Sequence, residues 1–397
     1  MEVEGSRRLG VALVGMGGAV ATTAIAGIEL IKSGQNRFEG LPLADLAVPG
    51  LTDYRDLVFG GWDVNGDDLG TAALNHGVIG RDVVDDGAAA LKGMRPWKAV
   101  GSERFCRNID GENKVVAAGH RDAVDRIADD LRRFKQESGA DGVVVVNLAS
   151  TERWPDLASP TFHSLDAFER GLDADDEAIG PAMLYAYAAV SSGIPYGNFT
   201  PSVAADVPAI MELAAARNVA IAGKDGKTGQ TMMKTVIAPA LKARALHVDG
   251  WFSTNILGNR DGLALDDPDS LKSKLNTKGS VLDEILGYPV EDHIVDIRYY
   301  RPRGDDKEAW DNIDVTGFLG QRMQIKVNFL CKDSILAAPL VIELARVLGL
   351  ADKRGDGGVQ EQLSIFFKAP MVANGHGPTH AFHAQERMLL DWLGARN

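Results

Sequence analysis

Three groups of residues in this chain have types and spacings that could do chemistry. Residues 10 to 31 read GVALVGMGGAVATTAIAGIELI, and five of them are glycine. Leu9 to Val14 is a short apolar strand, Gly15-Met16-Gly17-Gly18 a tight turn, and Ala19 to Lys32 a helix closed by Ser33-Gly34. A glycine turn between a strand and a helix lets the backbone approach a pyrophosphate while the helix N-terminus faces its charge. Val20 stands where a third glycine or alanine would complete the dinucleotide fingerprint, and a plain buried strand-turn-helix unit would read the same way. The second group is His376, His380 and His383, spaced four and three apart. A helix would let them chelate a metal, but Pro378 and the flanking glycines argue against one helix, and no HExxH pattern occurs. The third group is lysine. Lys274 and Lys278 lie four apart, on one face if helical, Lys307 follows Gly304-Asp-Asp306, and Lys368 precedes Ala369-Pro370. Solvated surface lysines would look no different, so spacing alone leaves their role open. No G-x-S-x-G elbow marks a serine nucleophile.

The elements that position these groups alternate in type. After the first unit, Asp56 to Asp63 reads as a strand ending in an acid that could take a ribose hydroxyl. It lies about twice the usual ~20 residues beyond the glycines, which requires an insertion between them. Val124, Ile127, Leu131 and Phe134 recur at helical spacing. Gly142 to Leu148 is a continuous apolar run suited to a parallel strand buried on both faces. Further helices are expected at Pro181 to Ser191, Val207 to Arg217 and Thr228 to Ala245, with strands at Ile194 to Phe199 and Val219 to Ala222. Such alternation means a doubly wound sheet whose ligands sit at the carboxyl ends of its strands. Three polar loops leave those ends, at Ala149 to Arg153, Asn198 to Ser202 and Gly223 to Gln230. Beyond about residue 246 the pattern changes: His293 to Arg301 and Arg322 to Leu330 alternate, as in Met323, Ile325, Val327 and Phe329, which suits an antiparallel sheet. Ser334 to Leu350 and Val359 to Phe367 read as helices separated by a polar loop, KRGDGG.

Composition sets the outer bounds. The chain has 397 residues, 45% hydrophobic and 24% charged, which is ordinary for a soluble globular enzyme of one or two domains. A net charge of -13 argues against nucleic acid or an anionic membrane as the main partner. The uncharged run Leu9 to Ile28 has the length of a membrane span, but its glycines break that reading. Cys106 and Cys331 are far apart and in no C-x-x-C pattern, so a reducing compartment, the cytoplasm, is expected.

Taken together, the loops resemble the myo-inositol-1-phosphate synthases. The carrying segments are Gly15 to Gly18, Phe59-Gly-Gly-Trp-Asp63, Asn147-Leu-Ala-Ser-Thr-Glu152, Asn198-Phe-Thr-Pro-Ser202 and Gly226-Lys-Thr-Gly-Gln-Thr231. They continue with Asn255 to Gly262, Ser273 to Lys278, Gly304-Asp-Asp-Lys307, Lys332 to Pro339 and Phe367-Lys-Ala-Pro370. GKTGQT, NILGN and FFKAP look most like the archaeal-type members. The resemblance implies an α/β protein: a Rossmann-like, doubly wound NAD-binding domain over residues 1–231, an inserted α+β catalytic and oligomerisation domain over 232–330, and a C-terminal segment, 331–397, completing the first. It implies a cyclase that borrows a redox cofactor. NAD oxidises C5 of glucose 6-phosphate, the C6 enolate attacks the C1 aldehyde, and the hydride returns. Lysines would stabilise the enolate and alkoxides in a dry pocket and exchange protons near neutrality.

By position in the family's motifs, Lys274, Lys278, Lys307 and Lys368 should line the substrate together with Asp225, Asp261 and Asn255. Lys274 and Lys368 are the candidates for proton transfer, Lys278 and Lys307 for holding phosphate and the reacting oxygens. Gly15, Met16, Gly17, Gly18, Ala19, Val20, Asp63, Ala149, Ser150, Thr151, Ser202, Asp225, Thr228, Asp305 and Asp333 should contact the cofactor. Asp305, Asp333 and Ser334 fall where the family places a cation, for which potassium, magnesium or manganese suits oxygen ligands better than zinc. The inserted sheet should pack against its copy in a homotetramer. Two departures stand out. Ala19-Val20 replaces a pair of asparagines, and in a stretch around the substrate Thr254 and Ile256 stand where a Tyr and a His are lost, while Arg260 is gained. A changed pocket admits a changed sugar, such as fructose 6-phosphate closed to a five-membered cyclitol phosphate. An ordinary NAD dehydrogenase and a catalytically silent nucleotide-binding paralogue are the readings from other classes.

Overall fold

The apolar run Leu9–Val14 (β1) is buried at every position because it runs through the middle of a parallel sheet. A computed structural model of the chain describes residues 8–35, 38–86, 88–108, 111–259, 281–373 and 375–395. β1 pairs in parallel with β2 (Leu57–Asp63) on one side and with β4 (Gly142–Asn147) on the other. With β3 (Trp97–Lys98), β5 (Tyr196–Asn198), β6 (Ala220–Gly223) and a late strand, β11 (Gly358–Val359), the order is β11-β6-β5-β4-β1-β2-β3. Every pairing in it is parallel. The period of two along β1 assigns its side chains to separate cores. Leu9, Val11 and Leu13 join Ile25, Ile28 and the helix Asp333–Arg354 on one face. Ala12 and Val14 join the helices His120–Ser138 and Pro181–Ser191 on the other.

The spacing anomaly before Asp63 has a structural cause. Residues 38–56, which precede β2, form an excursion over the helix Asp333–Arg354. It is tied there by the Glu343 carboxylate, which accepts from the Tyr54 hydroxyl at 2.6 Å and the Leu43 N–H at 3.1 Å, while Arg346 pairs with Glu343 at 2.6 Å. That helix is long and apolar enough to cross a membrane, yet 78% of its most apolar window is buried inside the protein.

The second sheet is built from β7 (His247–Leu257), β8 (Asp292–Tyr299), β9 (Asp306–Thr316) and β10 (Arg322–Lys332), in the order β10-β9-β7-β8. It corrects three expectations. β7 and β9 do not appear in the sequence reading, because the inward positions Ser253, Asn255, Lys307 and Asp311 interrupt the apolar alternation. The sheet is mixed rather than antiparallel, since β7 and β8 run parallel. Val359 to Phe367 is not an α-helix: Gly358–Val359 extends the main sheet beside β6, and Glu361–Phe366 is a 3-10 helix. Two helices, Gln230–Ala243 and Val281–Leu286, cover one face of the second sheet around Trp251, Ile313 and Val315. The other face leaves Ile294 50% and Leu330 62% exposed.

Candidate active site

A cleft runs along the carboxyl ends of the parallel strands and continues to the edge of the second sheet. At its first end the Gly15 and Met16 N–H groups donate to the Trp62 carbonyl at 2.8 and 2.9 Å, which holds the glycine turn across the end of β2. Gly15 has φ +87°, and a Cβ there would stand 3.1 Å from the Ala149 backbone, so both its conformation and its neighbour require glycine. Gly18 caps the helix Ala19–Lys32 without a side chain, leaving the first helical N–H groups facing the cleft. A bare glycine cradle before an open helix N-terminus fits a pyrophosphate.

Asp63, mostly buried at the end of β2, accepts from the Gly17 N–H at 2.9 Å and the Asn65 N–H at 2.9 Å. The expected cofactor residues Gly15, Gly18, Ala19, Val20, Asp63, Ala149, Ser150, Thr151, Asp225, Thr228 and Asp333 all line this one cleft. Met16, Gly17, Ser202 and Asp305 do not line it. Ser202 instead supports the loop after β4, its hydroxyl accepting from the Glu152 N–H at 2.9 Å.

The charged end is assembled from segments distant in sequence. After β6 the loop turns through Asp225, whose φ of +61° aims its buried carboxylate across the cleft. Lys368 arrives opposite, because its N–H donates to the Asp225 carbonyl at 2.7 Å and Gly226 bridges Phe367. The Lys368 ammonium then donates to Asp225 Oδ1 at 2.7 Å, with both side chains over 90% buried. Asp333, at the start of its helix, accepts from the Thr228 hydroxyl at 2.9 Å and faces the buried Lys307 ammonium at 3.4 Å. Asp305 accepts from the Ser334 hydroxyl at 2.7 Å, the Ser334 N–H at 3.0 Å and the Asn259 amide at 3.2 Å. Burial raises the Asp305 carboxyl above its usual range, and the Ser334 hydrogen bonds oppose that. Asp305, Asp333 and Ser334 thus meet as an oxygen-donor set beside Lys307, whose ammonium already supplies one positive charge there.

Asn255 sits on the inward face of β7, bonded to the Gln230 side chain and not on the cleft lining. Lys274, Lys278 and Asp261 lie outside the described residues. The three histidines separate: His376 is exposed, His380 is buried 3.0 Å from Glu284, and His383 lies in the first turn of the helix Phe382–Leu393. Among the described residues no three His, Cys, Asp or Glu side chains form a metal cluster.

Three buried ionisable groups are not singled out by sequence reasoning. Burial pushes Lys227 down to about 7 and Lys234 down to about 8. It pushes Glu152, which lines the cleft and accepts from the Ala182 N–H at 2.9 Å, up to about 8. Lys227 and Glu152 lie within the quoted motifs Gly226 to Thr231 and Asn147 to Glu152; that context is a usable signal, whereas nothing local marks Lys234.

A family model described as myo-inositol-1-phosphate synthase matches residues 34–394. The chain is 42% identical over 410 residues to an inositol-3-phosphate synthase 1 of Bacteroides thetaiotaomicron, covering 97% of this chain and 95% of that protein. It is 30% identical over 436 residues to an inositol-3-phosphate synthase 1 of Oryza sativa subsp. japonica, covering 98% and 86%. Among solved structures, inositol-3-phosphate synthase from Caenorhabditis elegans superposes with a TM-score of 0.92 at 25% identity, covering 98% of this chain and 86% of that one. A myo-inositol-1-phosphate synthase-related protein from Thermotoga maritima gives 0.81 at 26% identity, covering 98% and 99%.

Proposed function

The chain belongs to the myo-inositol-1-phosphate synthase family, and from that premise we propose that it binds NAD and cyclises glucose 6-phosphate to 1D-myo-inositol 3-phosphate. The observation that carries the reading is the buried Lys368–Asp225 pair at the far end of a cleft that begins with the glycine turn. A cofactor cradle alone would serve a dehydrogenase; a sequestered ammonium-carboxylate pair beside it suits proton traffic on a substrate carbon.

NAD, when bound, supplies a reversible hydride acceptor, so the substrate is oxidised at C5 and restored with no net redox change. Gly15, Gly18 and the N-terminus of the helix Ala19–Lys32 would hold its pyrophosphate, and Asp63 its ribose. The chain's own residues do the rest. Lys368 is assigned to proton transfer at C5 or C6, with Asp225 holding its ammonium in place. Lys274 shares that work, and Lys278 and Lys307 hold phosphate and the oxygens on which negative charge develops. Asp333 anchors Lys307 and Thr228 together, so the cofactor loop and the second sheet are held in one register. Asp261 and Asn255 are assigned to contacts with the sugar.

A homotetramer built on the open face of the second sheet is part of the same reading, supported by the exposed Ile294 and Leu330. The chain's two cysteines are free, which accords with the cytoplasm. The test is incubation with NAD and glucose 6-phosphate, following sugar phosphates by phosphorus NMR and NADH by absorbance. Inositol phosphate without NADH accumulation is the expected result. NADH formed in proportion to substrate would make it a dehydrogenase, and conversion of fructose 6-phosphate alone would change the substrate.

A further inference from the structure

Behind the charged end of the cleft lies a buried polar chain that joins the second sheet to the helix above it. The Asp311 carboxylate, on β9, accepts at Oδ1 from Trp251 Nε1 at 2.7 Å and from the Ser253 hydroxyl at 2.7 Å. Its Oδ2 accepts from Gln230 Nε2 at 3.2 Å. The Gln230 amide oxygen in turn accepts from Asn255 Nδ2. All five residues are less than a tenth exposed. Asn255 and Lys307 share the inward face of the sheet: Asn255 pairs with Ala309, and Lys307 stands two residues before Ala309 on β9.

An amide side chain has one donor end and one acceptor end, and nothing in its shape decides which points where. A carboxylate decides, because it only accepts, and the indole N–H opposite only donates. Asp311 therefore obliges Gln230 to present its NH2 group downward, which turns Oε1 toward Asn255. Gln230 Nε2 also reaches the Thr254 and Trp310 carbonyls at 3.5 Å, which favours the same orientation weakly. Oε1 in turn obliges Asn255 to spend its NH2 group on Gln230, leaving Oδ1 with no hydrogen-bond partner among the described residues.

We propose that Asp311 is a positioning residue which, through Gln230, fixes Asn255 so that it offers the substrate a hydrogen-bond acceptor and selects a sugar hydroxyl there. This rests on the assignment of Asn255 to the sugar. The alternative polarity would offer an NH2 group and suit a carbonyl or phosphate oxygen.

The relay makes a prediction that packing alone does not. In Asn255→Asp, an ionised carboxylate would face the Gln230 oxygen, two acceptors with no proton between them. Protonation of the new carboxyl restores a donor to Gln230 and an unspent acceptor. The kcat/KM of this variant, relative to wild type at each pH, should therefore be down about thirtyfold at pH 8 and recover at least threefold by pH 6. In the exchanged variant Asp311→Asn/Asn255→Asp the carboxylate has moved to the other end of the chain. Trp251 and Ser253 then hold the amide oxygen introduced at position 311, whose NH2 group turns Gln230 over. Gln230 now donates to the ionised carboxylate at position 255, which still keeps an unspent acceptor. The exchanged variant should exceed Asp311→Asn by about tenfold in kcat/KM and lose the pH dependence.

Turnover is measured by phosphorus NMR on the full chain with NAD, and folding by a cooperative thermal transition. A pH ratio for Asn255→Asp that stays flat overturns the relay, whether or not the exchanged variant folds. So does a folded exchanged variant no better than Asp311→Asn. Wild-type protein that makes no inositol phosphate would overturn the proposed function instead, which separates the two failures.

Discussion

The two sheets of this molecule differ in the kind of polar group they bring together. The parallel sheet uses backbone: the glycine turn, an uncapped helix end and strand termini, over a core of Leu, Ile, Val and Ala. The mixed sheet uses side chains: Lys307, Asp311, Asn255 and Ser253 all point inward from strands and are buried. Backbone recognition is insensitive to which large residues surround it, but intolerant of a Cβ in the wrong place. Side-chain recognition requires that every buried charge be matched, because an unpaired one costs several kcal/mol. The lesson is that the molecule has two failure modes, one steric and local, the other electrostatic and shared among partners.

The largest expected effect tests the electrostatic mode. Lys368→Met leaves the Asp225 carboxylate buried without its ammonium. It should lower kcat/KM at least about a thousandfold, while NAD titration shows less than a tenfold change in affinity. Comparable losses in both quantities would merge the two modes. Next comes the steric mode: Gly15→Ala forces a Cβ against the Ala149 backbone at φ +87°. The dissociation constant for NAD should rise about a hundredfold by calorimetry, through a strain of about 1 to 3 kcal/mol. A smaller effect is expected from Asp63→Asn. It keeps the shape but weakens the acceptor for the Gly17 N–H, so that NAD binds about tenfold more weakly and excess cofactor recovers most turnover.

The smallest effect is on stability and concerns Glu152, a side-chain feature within the backbone-dominated half. Burial raises its carboxyl to about 8, so the folded protein keeps a proton that the unfolded chain releases near 4.5. Ionising it therefore costs nothing below that lower value. The cost grows as pH rises and is complete above about 8, with a slope of at most about 1.4 kcal/mol per pH unit. Glu152→Gln removes it. Urea unfolding at pH 5 and pH 8 should show wild type losing more stability than the variant across that interval; equal losses would mean that the folded protein carries Glu152 ionised throughout.

Legibility in the sequence divides along the same line. Leu9–Val14, Ala19–Lys32 and Pro181–Ser191 match the sequence reading residue for residue, because continuous apolar runs, glycine punctuation and proline at a helix start are local signals. β7 and β9 are illegible because Ser253, Asn255, Lys307 and Asp311 occupy positions where a strand of this kind normally places Val or Ile. Buried polar groups hide the strands that carry them. The late strand Gly358–Val359 reads as loop and helix, since two residues in a glycine-rich stretch contain no period at all. Motif context singles out Lys307 and Lys368, but it assigns their carboxylate partners Asp333 and Asp225 to the cofactor and substrate rather than to the lysines.

The sequence by itself determined the doubly wound alternation, the glycine turn and the chemical types available to the cleft. Those follow from period, backbone permissiveness and side-chain inventory, all of which are local. Only the tertiary structure decided which charge stands against which: that Lys368 meets Asp225 across 143 positions, and Thr228 meets Asp333 across 105. It also decided which buried groups hold or lose a proton, as at Glu152 and Lys227. The physical reason is that burial and Coulomb attraction depend on distance in space, and a chain folded through two sheets makes that distance independent of separation in sequence.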